Sequence, residues 1–379
     1  MHNQIDGGTN MQFTIERSAL SKALSHCQSV VERRTTLPIL SHILFDAEGV
    51  SVKITATDLE LSIVETVSAE VSEPGRATVP AHLIHDIVRK MEEGGTISMS
   101  LDKASHQLLL SCGQSEFKLP CLPPEDFPVI QAGDLPSQFK VPSRLFLRLL
   151  ERTRFAMSQD ETRYFLNGIY LHPVDGKELR AVATDGHRLA MASMPLPEGA
   201  ADFVGVIMPR KTVQEVIKLI TETPEDIHVA VSSTQICFSI RHAFLTSRLI
   251  DGAYPEYEGA IPRGNNQMMY LKVAPFAQAV DRVATISLEK LGGIHGILEE
   301  GKLILKATGE IAGAAQEEIP VEYTGETINI GFNARYILDI TQQLADEKAQ
   351  FALGGDHCAM VIRPANDNTA LYVLMPMSV

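Results

Sequence analysis

Ala56-Thr57-Asp58, Ala183-Thr184-Asp185 and Ala307-Thr308-Gly309 are one short pattern met three times, with starts 127 (183 − 56) and 124 (307 − 183) residues apart. The flanking sequence repeats in the same frame. Strand-like Phe13-Thr14-Ile15 precedes an amphipathic helix over Leu20 to Val31; Phe139-Lys140-Val141 precedes one over Leu145 to Phe155; Tyr270-Leu271-Lys272 precedes one over Phe276 to Ile286. A second helix follows in each case: Val79-Pro80 into Leu83 to Met91, Met208-Pro209 into Val213 to Ile220, and Gly331-Phe332-Asn333 into Tyr336 to Leu344. Solenoid repeats run to roughly 20–50 residues, so a period this long marks whole domains in tandem.

The 379 residues accommodate three such domains at the commonest domain size. Turn-rich stretches at Leu122 to Pro128 with Gly133 to Pro136, and at Ile261 to Asn266, place linkers near 138 and 264. The division is therefore 11–137, 138–264 and 265–379, after a polar, Gly-bearing stretch 1–10 that is expected to be disordered. Ile236, Phe238 and Ile240 alternate with Cys237 and Ser239; Leu303 and Leu305 alternate with Ile304 and Lys306; Phe117 and Leu119 alternate with Glu116 and Lys118. Such alternation belongs to antiparallel sheets with one solvated face, so each repeat is expected to lay two helices on antiparallel sheet, an α+β fold. The C-terminal Val373 to Met375 is expected to form an edge strand.

Composition excludes several classes. No apolar run reaches the ~18 residues of a membrane span, and no signal peptide opens the chain, so a soluble, cytoplasmic protein is expected. Five cysteines without a Cys-x-x-Cys pair indicate neither a disulfide framework nor a zinc site, and are expected as buried thiols. No metal and no cofactor is implied. The net charge of −14 argues against bulk attraction to nucleic acid, yet the helices and their flanks collect Lys22, Arg34, Arg89, Arg144, Arg148, Arg152, Arg210, Lys211, Lys218 and Arg282. A basic helical layer with an acidic remainder points to one surface for phosphates. Catalytic motifs are missing, and Gly292-Gly293-Ile294-His295-Gly296 lacks phosphate-loop spacing and is expected to be a turn. One segment carries catalytic residue types: on an extended strand Asp185 and His187 would share a face, as an oriented base requires. The other two repeats have no histidine there, so this segment is better taken as one wall of a binding groove.

Several motifs in order carry a resemblance across residues 11–379: Thr36-Leu37-Pro38-Ile39-Leu40, Arg163-Tyr164-Phe165-Leu166-Asn167-Gly168, Ala183 to Ala190, Pro209-Arg210-Lys211, Asp251-Gly252 with Tyr254-Pro255, Gly331-Phe332-Asn333, and Tyr372 to Met377. The chain resembles the bacterial DNA polymerase III beta subunit family, the replicative sliding clamps. That resemblance implies the DNA clamp fold, with helices lining a central hole, antiparallel sheets outside, and a ring closed by a head-to-tail homodimer. It implies a non-catalytic processivity factor at the nucleoid. Its partners would be double-stranded DNA without sequence specificity, the polymerase III alpha subunit, the clamp loader, and other polymerases and repair proteins bearing a Gln-Leu-x-Leu-Phe-like peptide.

By the same resemblance, Arg34, Arg163, Tyr164, Arg210 and Lys211 face DNA, with Arg89 and Arg148 added from the helix pattern. The peptide groove falls on Leu166, Thr184, Gly186, His187, Arg188, Leu189, Pro255, Asn333, Tyr336, Val373, Leu374, Met375, Pro376 and Met377. In it Leu166, Leu189 and Val373 form the floor, and Thr184, His187, Arg188 and Asn333 offer polar atoms that fix the peptide's direction. The dimer contact falls on Phe117 and Leu119 of one subunit and Thr285 and Ile286 of the other. This chain departs from the family pattern at Phe165, where a second tyrosine is frequent, at Gln114 and Glu116, where basic or neutral residues are frequent, and at Leu291 and Gly259, where Phe and a basic residue are common. Two other classes stay open on the residues alone: a scaffold of this fold without DNA contact, and an enzyme built on Asp185 and His187.

Overall fold

Each repeat opens with a strand that runs directly into a helix, and the order of elements then recurs. The first holds β1 (Gln12–Glu16), α1 (Arg17–Val30), β2 (His42–Glu48), β3 (Ser51–Thr57), β4 (Leu61–Ser68), β5 (Glu70–Glu73), β6 (Gly75–Pro80), α2 (Ala81–Lys90), β7 (Thr96–Asp102), β8 (Gln107–Cys112) and β9 (Ser115–Pro120). The second holds β10 (Ser137–Val141), α3 (Ser143–Arg154), β11 (Gly168–Val174), β12 (Glu178–Thr184), β13 (Arg188–Pro195), β14 (Val206–Pro209), α4 (Arg210–Thr221), β15 (Ile227–Val231), β16 (Gln235–Ile240) and β17 (Ala243–Arg248). The third holds β18 (Gln267–Lys272), α5 (Val273–Ser287), β19 (Gly293–Glu299), β20 (Lys302–Gly309), β21 (Gly313–Pro320), β22 (Ile328–Asn333), α6 (Ala334–Thr341), β23 (Lys348–Leu353), β24 (Met360–Pro364) and β25 (Ala370–Leu374). This computed structural model describes residues 11–102, 104–287, 292–309, 313–344 and 347–378; the stretch 1–10 and the departure at Leu291 lie outside them.

Among the described residues the strands form four antiparallel sheets, and the two largest cross the repeat boundaries. One runs β10-β15-β16-β17-β4-β3-β2-β6 and the other β14-β11-β12-β13-β25-β24-β23-β18. The joints are β17 on β4, with Thr246 opposite Ser62, and β25 on β13, with Val373 opposite Leu189. Pairing removes what would otherwise be open edges between repeats. Two smaller sheets, β5-β1-β7-β8-β9 and β21-β20-β19-β22, end on β9 and β21. The chain accordingly divides into two compact units, one holding the first repeat with 214–249, the other holding 145–213 with the residues from 250 onward.

The repeated triplet has a local physical cause. In the β3–β4 hairpin, Thr57 Oγ1 donates to Leu61 O at 2.9 Å, and Asp58 Oδ1 accepts from the N–H groups of Glu60 and Leu61 at 2.9 and 2.7 Å. In the β12–β13 hairpin, Thr184 Oγ1 donates to Arg188 O at 2.7 Å, and Asp185 Oδ1 accepts from His187 and Arg188 at 2.9 and 3.0 Å. The residue after the aspartate takes positive φ in both, Leu59 at 79° and Gly186 at 89°; the glycine adopts it without the Cβ penalty the leucine bears. Thr308 and Gly309 close β20 at the equivalent hairpin, opposite Ala314 and Gly313.

The cores are the buried faces of these elements. Phe13 stacks on Phe45 at 6.2 Å, Leu20 and Leu24 of α1 are fully buried, and Phe276 of α5 meets Phe351 edge-on at 5.5 Å. α6 starts where Asn333 Oδ1 accepts from the N–H groups of Arg335 and Tyr336, at 3.0 and 3.3 Å, which explains the Gly331-Phe332-Asn333 motif as a helix cap.

Four expectations need correction. Of Gly292 to Gly296, only Gly292 turns, at φ 63°, and β19 begins at Gly293. There, Gly296 lets the Phe332 ring lie 3.3 Å from where a Cβ would stand. The last helix ends at Thr341 and stops short of Leu344. Val373 and Leu374 lie on an interior strand, because β25 has partners on both sides. Cys237 is buried despite the alternation, as is Cys27, but Cys112 and Cys121 are half-buried and Cys358 is exposed.

Candidate functional site

The β12–β13 turn, the end of β25 and the start of α6 come together in the second unit. Leu189, Val373 and Val361 sit directly opposite one another on β13, β25 and β24, forming an apolar row across three strands. They cluster with Val182, Leu371 and Tyr257, and Tyr170, Met191, Tyr254 and Ile261 pack against the cluster. The sequence expectation placed Leu166, Leu189 and Val373 as a pocket floor; in this structure they are 5%, 4% and 1% exposed, so any groove there uses their buried tops. Sequence alone did not single out Val361 or Tyr257. The short apolar run Met360-Val361-Ile362 of β24 was the available signal, but pairing with β25 was not legible locally.

Past Leu374 the chain continues along the turn. Met375 N–H donates to His187 O at 2.9 Å and Met377 N–H to Gly331 O at 2.9 Å, so the C-terminal segment lies beside His187 with Met375 40% exposed. Pro255 and Gly259 are exposed on the segment that carries Tyr254 and Tyr257, and a Cβ at Gly259 would meet nothing within 4 Å. That segment is strapped to the sheet: Tyr254 stacks on Tyr170 at 4.8 Å, Tyr170 on His172 at 4.5 Å, and Arg180 donates to Tyr257 Oη at 2.9 Å. Burial pushes the Tyr254 phenol well above its usual range.

The polar residues differ in availability. His187 is exposed and its ring stacks on Tyr336 at 6.2 Å. Arg188 is the exception to the expectation that it offers polar atoms to a ligand. Its guanidinium lies between the Phe155 and Tyr336 rings, at 5.1 and 4.3 Å, and donates to Asp185 at 3.1 Å, Asp339 at 2.5 Å and Phe155 O at 2.8 Å. Every strong partner it has is internal. Arg188 therefore rivets the turn of the second repeat to α6 of the third. The same contacts dispose of an acid–base pair: Asp185 and His187 lie in a turn, and the Asp185 carboxylate is spent on its own turn's N–H groups and on Arg188.

The equivalent boundary in the first unit has the same backbone and different side chains. Arg248 N–H donates to Glu60 O at 2.8 Å, as Met375 does to His187. Yet Ser62 and Thr246 stand where Leu189 and Val373 stand, and Glu60 and Arg248 form an ion pair at 3.6 Å. An apolar ligand side chain finds small polar groups there, whose desolvation is unfavourable. At this boundary a polar pair replaces the apolar pair of the second unit.

The candidate phosphate-facing residues split similarly. Arg34 is exposed on the loop after α1, Tyr164 is 54% exposed, and Arg163 is partly exposed beside Asp160 at 3.0 Å. Arg89 is exposed at the end of α2, 3.6 Å from Asp86. Arg210 is half-buried: burial lowers its pKa, and one guanidinium nitrogen donates to the carbonyls of Met157 and Ser158 at 2.9 and 2.5 Å. Lys211 is half-buried beside it. Arg148 pairs with Asp367, which Arg152 also holds at 2.7 Å. The basic helical layer is thus partly neutralised, with Lys22 on Glu222 at 2.8 Å and Arg282 on Glu317 at 2.5 Å. Of the four residues expected at a subunit contact, Phe117 (36% exposed) and Thr285 are exposed, Ile286 is half-buried, and Leu119 is buried at 3%. Gln114 and Glu116 are exposed near Phe117, and Phe165 meets Tyr164 edge-on at 5.8 Å. Among the described residues no group of His, Cys, Asp and Glu is arranged to hold a metal ion, and no helix is long and apolar enough to cross a membrane.

Three family profiles match in succession: the N-terminal domain of the DNA polymerase III beta subunit over residues 11–131, its central domain over 140–256 and its C-terminal domain over 258–378. A beta sliding clamp of Caulobacter vibrioides is 46% identical over 372 residues, 97% of this chain and 100% of the relative. One from Escherichia coli K12 is 35% identical over 368 residues, again 97% of this chain and 100% of the relative. Among solved structures, a sliding clamp from Bartonella birtlesii bound to griselimycin superposes with a TM-score of 0.95 at 42% identity, covering 98% of this chain and 100% of that one.

Proposed function

This chain belongs to the bacterial DNA polymerase III beta subunit family, the non-catalytic sliding clamps of replication, and from that premise we propose how its own residues do the work. Two copies close head to tail into a ring around duplex DNA, and the groove beside His187 tethers polymerases and other replication and repair proteins through a short peptide of the Gln-Leu-x-Leu-Phe kind. The protein acts in the cytoplasm, at the nucleoid. The domains run 11–137, 138–264 and 265–379.

The observation that carries the ring is the repeated joint. At both internal boundaries the last strand of one repeat pairs with the second strand of the triplet hairpin in the repeat before it: β17 with β4, and β25 with β13. By that rule the strands left over are β9 of the first repeat and β21 of the third, and these are sheet edges. A second copy completes both, with Phe117 on β9 meeting Thr285 and Ile286 on α5 of the other subunit.

DNA carries a phosphate charge about every 1.7 Å of axis, so Arg34, Arg163 and Lys211 give salt-dependent, sequence-independent contact, with Arg89 adding to it and Tyr164 offering a neutral hydroxyl. Arg210 and Arg148 act mainly by holding backbone and Asp367. Topological enclosure supplies retention, which leaves these contacts weak enough to slide. The groove works by apolar anchoring: Leu189, Val373, Val361 and Met375 receive the peptide's leucine and phenylalanine, and His187, Thr184 and Asn333 orient its backbone. Retention on circular DNA tests the whole reading. The purified protein, placed on nicked circles by a clamp loader, should stay bound through gel filtration and be lost when the circle is cut; equal loss from both forms would defeat enclosure.

A further inference from the structure

In the first unit a cavity of about 390 Å³ lies between α1, the end of β4, the turn Arg241–His242 between β16 and β17, and the residues just after α4. The ring, the groove and the DNA surface make no use of it. Its origin is visible in the repeat. An offset of 126 residues (139 − 13) carries Phe13, Leu20 and Leu24 onto Phe139, Phe146 and Leu150, all buried, and carries Lys22 onto Arg148 and His26 onto Arg152. His26 and Arg152 are each 5% exposed. The backbone frame corresponds as well: Thr66 N–H donates to His242 O at 3.0 Å, and Ser193 N–H to Thr369 O at 2.8 Å.

In the second unit the Arg152 side chain enters the corresponding space. Arg152 reaches Thr369 Oγ1 at 2.9 Å and Asp367 at 2.7 Å, and the turn between β24 and β25, residues 365–369, is long enough to bring Asp367 inward. In the first unit the turn has only Arg241 and His242, the shorter imidazole replaces the guanidinium, and Arg241 is held by both oxygens of Glu225 at 2.8 and 2.9 Å. The cavity is the volume that an arginine and a longer turn occupy in the counterpart.

Glu16, Glu65 and Glu222 line the cavity together with Lys22 and Arg241, and both of these cations already hold carboxylates, Lys22 that of Glu222 and Arg241 that of Glu225. His26 Nδ1 lies 2.5 Å from Glu65 Oε1, and its buried Nε2, without a hydrogen bond, faces Glu222 at 3.5 Å. Ala19, Ala23, Val67, Leu219 and Ile240 supply apolar walls. We propose that this cavity binds a small organic cation, an alkyl- or aryl-amidinium or guanidinium, its apolar body against Ala23, Val67 and Leu219 and its N–H groups on the Glu65 and Glu222 carboxylates. The ligand takes the place that the Arg152 guanidinium holds in the second unit. A planar cation with forked donors matches carboxylates better than an ammonium does, and the volume suits a molecule the size of benzamidine.

The probe is benzamidine, titrated into the full-length protein and followed by calorimetry and by methyl NMR of the alanines. Saturable binding that shifts Ala19 and Ala23 is expected. His26→Arg, which installs the counterpart's side chain, and Glu222→Gln, at a partly exposed position, should each weaken it about tenfold or more. Glu222→Gln should keep the wild-type dimer mass and unfolding midpoint. Benzoate, of the same shape and opposite charge, should bind at least tenfold more weakly. No saturable binding, benzoate binding as well as benzamidine, binding unchanged in both variants, or displacement of benzamidine by a Gln-Leu-x-Leu-Phe peptide would each overturn the proposal.

Discussion

Met375 N–H donates to His187 O at 2.9 Å, one residue beyond the last pair of the β13–β25 ladder. The bond makes the C-terminal segment a continuation of the sheet and sets Met375 beside an exposed imidazole. Both sides of the candidate groove thus depend on a strand contributed by the end of the chain.

Deleting Met375 to Val379, or combining His187→Ala with Met375→Ala, should reduce binding of a Gln-Leu-x-Leu-Phe peptide by well over tenfold. Anchor contacts in small interfaces are typically worth about 2 kcal/mol or more each. Fluorescence anisotropy measures it, and light scattering should show an unchanged dimer. Full affinity in both variants would place the partner site elsewhere.

Arg188→Met should destabilise the second unit by roughly 3 kcal/mol, because it strands the carboxylates of Asp185 and Asp339 while keeping most of the side chain's volume. Arg188→Lys should recover little of this, since a single ammonium cannot pair both acids and stack between Phe155 and Tyr336. Urea unfolding followed by aromatic fluorescence reports it, and a wild-type midpoint for Arg188→Met would refute the rivet.

Acid should weaken the contact made by Asp367. Burial raises that carboxyl's pKa, but hydrogen bonds from Thr369 and the Arg152 guanidinium outweigh burial and hold it well below the usual carboxylate value. A depressed folded-state pKa means the stabilisation is complete above the unfolded value, near pH 4, and fades as pH falls below it. Asp367→Asn should therefore cost about 2 kcal/mol at pH 7 and progressively less below pH 4. Parallel pH profiles for wild type and variant would contradict this.

Phe117→Glu should yield monomers at micromolar concentration, since the residue is exposed on the free edge of β9, away from its own core. Sedimentation equilibrium distinguishes the two masses. A dimer of undiminished strength would show that β9 is not the closing edge.

Arg34→Glu with Tyr164→Ala should weaken direct DNA contact and flatten its salt dependence, with the dimer intact. Arg210→Glu should instead lower the unfolding midpoint, because its guanidinium ties down the Met157 and Ser158 carbonyls. DNA binding by filter retention across a salt series, beside thermal melts, separates the two effects; a normal melt for Arg210→Glu would return that residue to the DNA surface.

The repeat was legible because it is written in local rules. A threonine and an aspartate that close a hairpin through their own backbone, or an Asn333 that caps α6, need only neighbours within a few residues. Helices announced themselves by apolar spacing and strands by alternation, and the ordered motifs were enough to identify the family. The site's availability was not legible. Arg188 and Arg210 look like free cations in a sequence, and only the arrival of Asp339, Phe155 and the Met157 carbonyl in space commits them.

What the sequence determined by itself is the threefold α+β plan and the membership in the clamp family, because these rest on short-range periodicity and on motifs that keep their order. What only tertiary structure decided is which repeat boundary is apolar and which is polar. Leu189 meets Val373 while Ser62 meets Thr246, pairs separated by more than 180 residues along the chain. Partners that distant are chosen by strand register, and register is fixed when whole sheets bury their cores, a condition no local segment contains.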